Sequence, residues 1–136
     1  MFVVRALLIS TYELGHQPFG LASPAAWLRR EGIDVHCVYL AKEKLDEGAL
    51  RAADLIAFHL PMHTATRLAA PVIRSVRALN PDARLCAYGL YAPLNKTWLE
   101  SLGVADVFGG EFEGLLADVA RQVRDGNQGR GGVLDV

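Results

Sequence analysis

Five short apolar runs, each followed by a stretch of helical character, constrain this chain more than any other feature. The runs are Val3–Ile9, Ile33–Leu40, Ala53–His59, Ala83–Gly89 and Val104–Phe108. Each has strand length, and the first is apolar enough to be buried on both faces. After the first run, Leu21–Arg30 reads as a helix, with Ser23 as its cap, Pro24 in first position, and Arg29, Arg30 and Gly32 closing it. Lys42–Ala52 is a charged, mildly amphipathic helix. Thr64–Leu79 places Leu68, Val72, Ile73, Val76 and Leu79 on one face, with Pro71 set to kink the helix or mark its true start. Pro93–Leu102, stopped by Gly103, and Phe112–Arg124 complete the set. Strands alternating with helices give a parallel sheet wrapped on both faces by right-handed crossovers. The reading is an α/β fold: a flavodoxin-like (Rossmann-like), doubly wound, five-stranded parallel sheet of order 2-1-3-4-5. Its ligand crevice would lie between the tips of strands one and three.

The 136 residues suffice for one domain, read as 1–124, with the Gly-rich 125–136 as a flexible tail or a linker to a further domain. A net charge of -1 makes no electrostatic case for nucleic acid or a membrane surface, and no apolar run is long enough to span a bilayer. The N-terminus lacks the marks of a signal peptide, and Cys37 and Cys86 read as small buried hydrophobes, so a cytoplasmic protein is expected.

The segment Ser10–Gly20 is longer than a strand-to-helix loop needs to be. With Phe58–Thr64, Tyr88–Asn95 and Gly109–Gly114 it should meet at the carboxyl edge of the sheet, where ligands bind in such folds. Glycines there let backbone approach a flat ligand, and aromatics supply wide apolar contact. The mixture suits a large, partly apolar cofactor. The residues selected are Thr11, Tyr12, Glu13, His16, Phe19 and Gly20 from the first loop, and His59, Leu60 and Met62 from the second. Tyr88, Gly89 and Tyr91 come from the third, and Gly110, Glu111 and Glu113 from the fourth. Their work is ring contact and hydrogen bonding, not proton transfer, so no catalytic residue is assigned.

Individual residues have plainer readings too. His16 is either a metal ligand or an exposed loop histidine. Pro61 separates His59 from His63, so the two do not share a helix face as a zinc pair would. His36 is structural. Glu111 and Glu113 open the last helix, where its dipole favours carboxylates whatever the function. Other uses of the fold fit poorly. A phosphoryl-accepting receiver needs acidic residues after strand one and an Asp ending strand three, and these positions read Ser10-Thr11 and His59. Tyr12-Glu13-Leu14 and Pro18-Phe19 make a poor flavin phosphate loop, and no GxGxxG or P-loop pattern occurs.

At these tips the chain resembles the N-terminal cobalamin (vitamin B12)-binding domain of cobalamin-dependent radical SAM proteins, over roughly residues 3–123. The resemblance is carried by Pro18-Phe19-Gly20-Leu21-Ala22 leading into Ala25–Arg29, by Gly32–Val35 and Ala53–Ala57, and by Arg77–Arg84 and Asp106–Gly114. It implies a corrin lying flat over the carboxyl edge, gripped by the four loops. Better-known cobalamin domains place a cobalt-ligating histidine in an Asp-x-His-x-x-Gly motif. Here Leu14 stands where that Asp would be, and Gly20 follows His16 by four positions, not three. The resemblance therefore implies cobalamin held without a histidine on cobalt, and no metal-ligating residue is assigned. The family's 4Fe–4S cluster and S-adenosylmethionine would belong to a separate catalytic domain, methyltransferase-like in the parent enzyme. Two cysteines, 49 positions apart, cannot supply the family's three-cysteine cluster motif. Two other readings stay open: a cofactor-free interaction domain, and a small stand-alone enzyme using His16 or His59 as a base.

Overall fold

The computed structural model describes residues 3–12 and 19–127. Five parallel strands form one sheet: β1 (Arg5–Ser10), β2 (Asp34–Tyr39), β3 (Leu55–His59), β4 (Arg84–Tyr88) and β5 (Asp106–Phe108). Their order is β2-β1-β3-β4-β5, as the alternating pattern predicts. The connecting helices are α1 (Phe19–Arg30), α2 (Glu47–Ala52), α3 (His63–Leu79), α4 (Lys96–Ser101) and α5 (Glu113–Gln122).

Because side chains alternate along a strand, each strand feeds two cores. Ala6, Leu8, Leu55, Ala57 and Tyr88 face α1 and α5, whereas Leu7, Ile9, Ile56, Phe58 and Leu85 face α2, α3 and α4. β4 is buried along its whole length. Arg84, at its start, is 5% exposed and forms a paired hydrogen bond to Asp106 of β5 at 2.8 and 2.9 Å. Asn80 ties the turn before β4 to the end of α2. Its side-chain amide donates to the Leu50 and Ala53 carbonyls at 2.8 Å each, and its oxygen accepts from the Ala83 N–H at 3.1 Å. Cys37 and Cys86 are both free thiols, Cys86 fully buried.

Three local expectations need correcting. α1 starts at Phe19, so Ser23 lies inside it and does not cap it; its hydroxyl donates to Glu113 on α5 at 2.8 Å. The helix expected over 42–52 is only Glu47–Ala52. Before it, the N–H groups of Lys42 and Glu43 both bond the Tyr39 carbonyl in a turn, and Asp46 then accepts from the Gly48 N–H to start the helix. α3 runs unbroken through Pro71. The carbonyl that Pro71 leaves unpaired belongs to Arg67, an exposed residue that water can serve. Before α4, Pro93–Asn95 forms a 3-10 turn. Most of the expected tail, residues 128–136, lies outside the described residues.

Candidate functional site at the carboxyl edge

The parallel register brings Tyr39, Ser10, His59, Tyr88 and Phe108 into one row at the carboxyl ends of the five strands. In-register residues of parallel strands point the same way, so this row faces α1 and α5. His59 and Tyr88 are neighbours in it, with ring centroids 5.1 Å apart. Phe112, just before α5, closes over both at 6.3 Å and 4.5 Å.

α1 seals this cluster, and its sequence explains how. Pro24 has no N–H, so it leaves the Gly20 carbonyl without its usual partner four residues on. The Tyr88 hydroxyl takes that carbonyl at 2.6 Å. Gly20 itself has no side chain because His59 occupies the space. A Cβ there would stand 2.0 Å from His59 Cε1 and 2.3 Å from Nδ1. The half-buried imidazole thus packs against a helix backbone and two aromatic rings. Burial drives its pKa down from 6.5 to about 4, so it is neutral at pH 7. Burial likewise pushes the Tyr88 phenol well above its ordinary range.

The remaining predicted residues separate into framework and surface. Thr11 is buried, and its hydroxyl donates to the Ala65 carbonyl at 2.7 Å, joining the end of β1 to α3. Leu60 is fully buried; its N–H donates to the Tyr88 carbonyl and its own carbonyl accepts from Tyr91. Gly89 has φ +119, and a Cβ there would meet the Leu60 carbonyl oxygen at 2.7 Å, so no side chain fits. Those residues build the edge and do not present side chains to a ligand. Tyr12, Met62, Tyr91 and Glu113 are half-buried, and Gly110 and Glu111 are exposed, with nothing within 4 Å of a Cβ at Gly110. Glu113 accepts from Ser23, which ties α5 to α1 on the closed side. Glu13 and His16 lie outside the described residues, and Phe19 begins α1.

The side chains that sequence reasoning passed over are Leu90 and Leu94, in the loop between β4 and α4. They are 72% and 78% exposed, the two most exposed large apolar residues described. The same loop carries Tyr91, and Met62 follows β3 beside it in the sheet order. The carboxyl edge is therefore closed by direct bonding on its α1/α5 side. Among the described residues, its α3/α4 side presents the exposed apolar side chains of Leu90 and Leu94. Among the described residues no cluster of three or more His, Cys, Asp or Glu side chains forms. The tips of β1, β3 and β5 carry Ser10-Thr11, His59 and Phe108, not a receiver's acidic set.

No family model and no curated protein sequence matches the chain. Among solved structures it is similar to the radical S-adenosylmethionine methyltransferase TsrM from Kitasatospora setae, whose structure holds cobalamin and a 4Fe–4S cluster. The TM-score is 0.76 at 18% identity, over 92% of this chain and 27% of that one. It is also similar to a flavodoxin from the domain Archaea (TM-score 0.67, 12% identity, 89% of this chain and 99% of that one). A CheY-like receiver domain from Methanospirillum hungatei matches at TM-score 0.64 and 14% identity, over 91% of this chain and 96% of that one. These likenesses establish the flavodoxin-like fold. The chain spans about a quarter of the length of the methyltransferase.

Proposed function

We propose that the chain is a cobalamin-binding module, holding the corrin over the α3/α4 side of its carboxyl edge without a histidine on cobalt. The observation that carries the reading is the apolar ledge of Leu90 and Leu94, exposed at the carboxyl edge on the loop after β4, the strand beside β3. Two exposed leucines cost the free chain about 2–3 kcal/mol each in unburied apolar surface, which a flat apolar ligand recovers. Leu90, Tyr91, Leu94 and Met62 would meet the ring. Gly110 would leave room at the rim, and Tyr12 would hydrogen-bond peripheral amides. These residues fit the group in kind: apolar contact at the centre, polar groups at the margin, and no cluster of charge. The likeness to a methyltransferase whose structure contains cobalamin supports the same reading. Cobalamin, when bound, supplies a cobalt centre able to carry a methyl group. The residues of this chain bind and orient it, and a partner radical SAM domain of a parent methyltransferase would carry the cluster and the reaction.

The geometry of His59 favours this over a stand-alone enzyme. A general base works best with a pKa near the operating pH, and an imidazole with a pKa of about 4 is far from that. Its packing on Gly20 and against Tyr88 and Phe112 makes His59 a framework residue.

The test is a visible-absorption titration of the chain with hydroxocobalamin, followed by desalting. The corrin bands should stay with the protein, without the shift that an imidazole ligand gives, and Leu90→Asp/Leu94→Asp should release them. Colour lost on desalting from the parent chain overturns the proposal and favours a cofactor-free docking surface on the same ledge.

A further inference from the structure

Two faces of the molecule carry complementary charge around exposed apolar side chains. The first is a groove of about 540 Å³ between α1 and α5. Trp27 and Leu115 form its apolar part and are 43% and 47% exposed. Glu111, Glu113 and Asp118 line it against one cation, Arg121. That cation is already engaged, by Glu31 at 2.9 Å and by Asp118. A second cation, Arg30, lies over the Trp27 ring at 5.2 Å. Three carboxylates thus face two cations, which leaves the groove an acidic excess beside its apolar floor.

The second face is the outer side of α3, on the opposite surface of the sheet. α3 contains Arg67, Arg74 and Arg77 and no acidic residue. Arg77 is occupied by the carbonyls of Pro81 and Gly103. Arg67 and Arg74 are exposed, and between them lie exposed Pro71 and Leu68, the latter 42% exposed. Positions 67, 68, 71 and 74 share one face of a helix. The result is a 17-residue basic helix with an apolar centre, the form that fits an acidic, apolar groove.

We propose that copies of this chain associate front to back, with α3 of one copy seated in the α1/α5 groove of the next. Leu68 and Pro71 meet Trp27 and Leu115, and Arg67 and Arg74 meet Glu111 and Asp118. Because the two faces lie on opposite sides of the sheet, the contact is heterologous. Each copy keeps a free groove at one end and a free helix at the other, so assembly runs on into a ring or a filament. One helix face is small for an interface, which sets the dissociation constant on the order of tens to hundreds of micromolar.

Sedimentation velocity of the full chain across that range tests the proposal. The mean mass should rise with concentration and fall as salt is raised, since exposed charge pairs are screened. The decisive step uses two variants, each first checked by circular dichroism for wild-type helix content. Arg67→Glu/Arg74→Glu spoils only the helix, and Trp27→Ser/Leu115→Ser removes only the apolar floor of the groove, without adding a charge that the new glutamates could pair with. Each alone should remain monomeric, while an equimolar mixture retains one good interface and should form a 1:1 dimer that grows no further. A wild-type chain that stays monomeric throughout overturns the proposal, and so does a mixture that stays monomeric, as a symmetric dimer or a groove filled by another protein would give.

Discussion

Lowering the pH should destabilise this protein through His59 in particular, by an amount the structure allows to be worked out. The half-buried imidazole has a pKa of about 4, against 6.5 when solvated. Between those values the unfolded chain binds a proton that the folded chain refuses, so stability rises with pH. The contribution is fully present above pH 6.5, falls as the pH drops through the window, and is gone below about 4. For these two pKa values the loss from pH 7 to pH 5 is about 2 kcal/mol, a large part of the stability of a domain this size. Carboxylates contribute their own pH dependence, so the measurement is a comparison. Urea unfolding of wild type and of His59→Asn would be followed at pH 7 and pH 5. The variant loses packing at both pH values equally, and the difference between the two losses isolates the titration. Wild type should lose about 2 kcal/mol more than His59→Asn. Direct NMR titration of the His59 Cε1 proton should give a midpoint near 4. Equal losses, or a midpoint near 6.5, would falsify the picture of an imidazole wedged between Gly20, Tyr88 and Phe112.

Two further stability predictions follow from the same cluster. Gly20→Ala should destabilise the chain by roughly 1–2 kcal/mol, as overpacking against the imidazole outweighs alanine's better helix propensity. Adding His59→Ala should cost less than the sum of the two single changes, and additive unfolding energies would refute the contact. Tyr88→Phe should cost about 1–2 kcal/mol by orphaning the Gly20 carbonyl. In a Pro24→Ala background the restored N–H can serve that carbonyl, so the cost should fall by at least half; an unchanged cost would show that the hydroxyl bond is not what matters.

Much of the fold was legible because its signals are local. Strand length, alternating helices and the turn at Asn80 follow from residue types and their spacing, and they lead directly to the observed strand order. One helix start differs because a side chain's true partner is remote: Ser23 looks like a cap, yet it bonds Glu113, 90 positions away. The candidate site divides in the same way. Its four loops were identifiable from their glycines and aromatics, but the roles within them were not. Thr11, Gly20, Leu60, Tyr88 and Gly89 look like ligand contacts in sequence and are framework in space. Leu90 and Leu94, in one of those loops, stand in solvent, and nothing in their residue type singles them out.

The sequence alone therefore determined the layer order and which loops meet at the carboxyl edge, since hydrophobic period and chain connectivity suffice for both. Only the tertiary structure decided which side of that edge is closed. That depends on a register pairing His59 with Tyr88 and on a carbonyl released by Pro24. Such contacts join residues distant along the chain, and no local propensity encodes them.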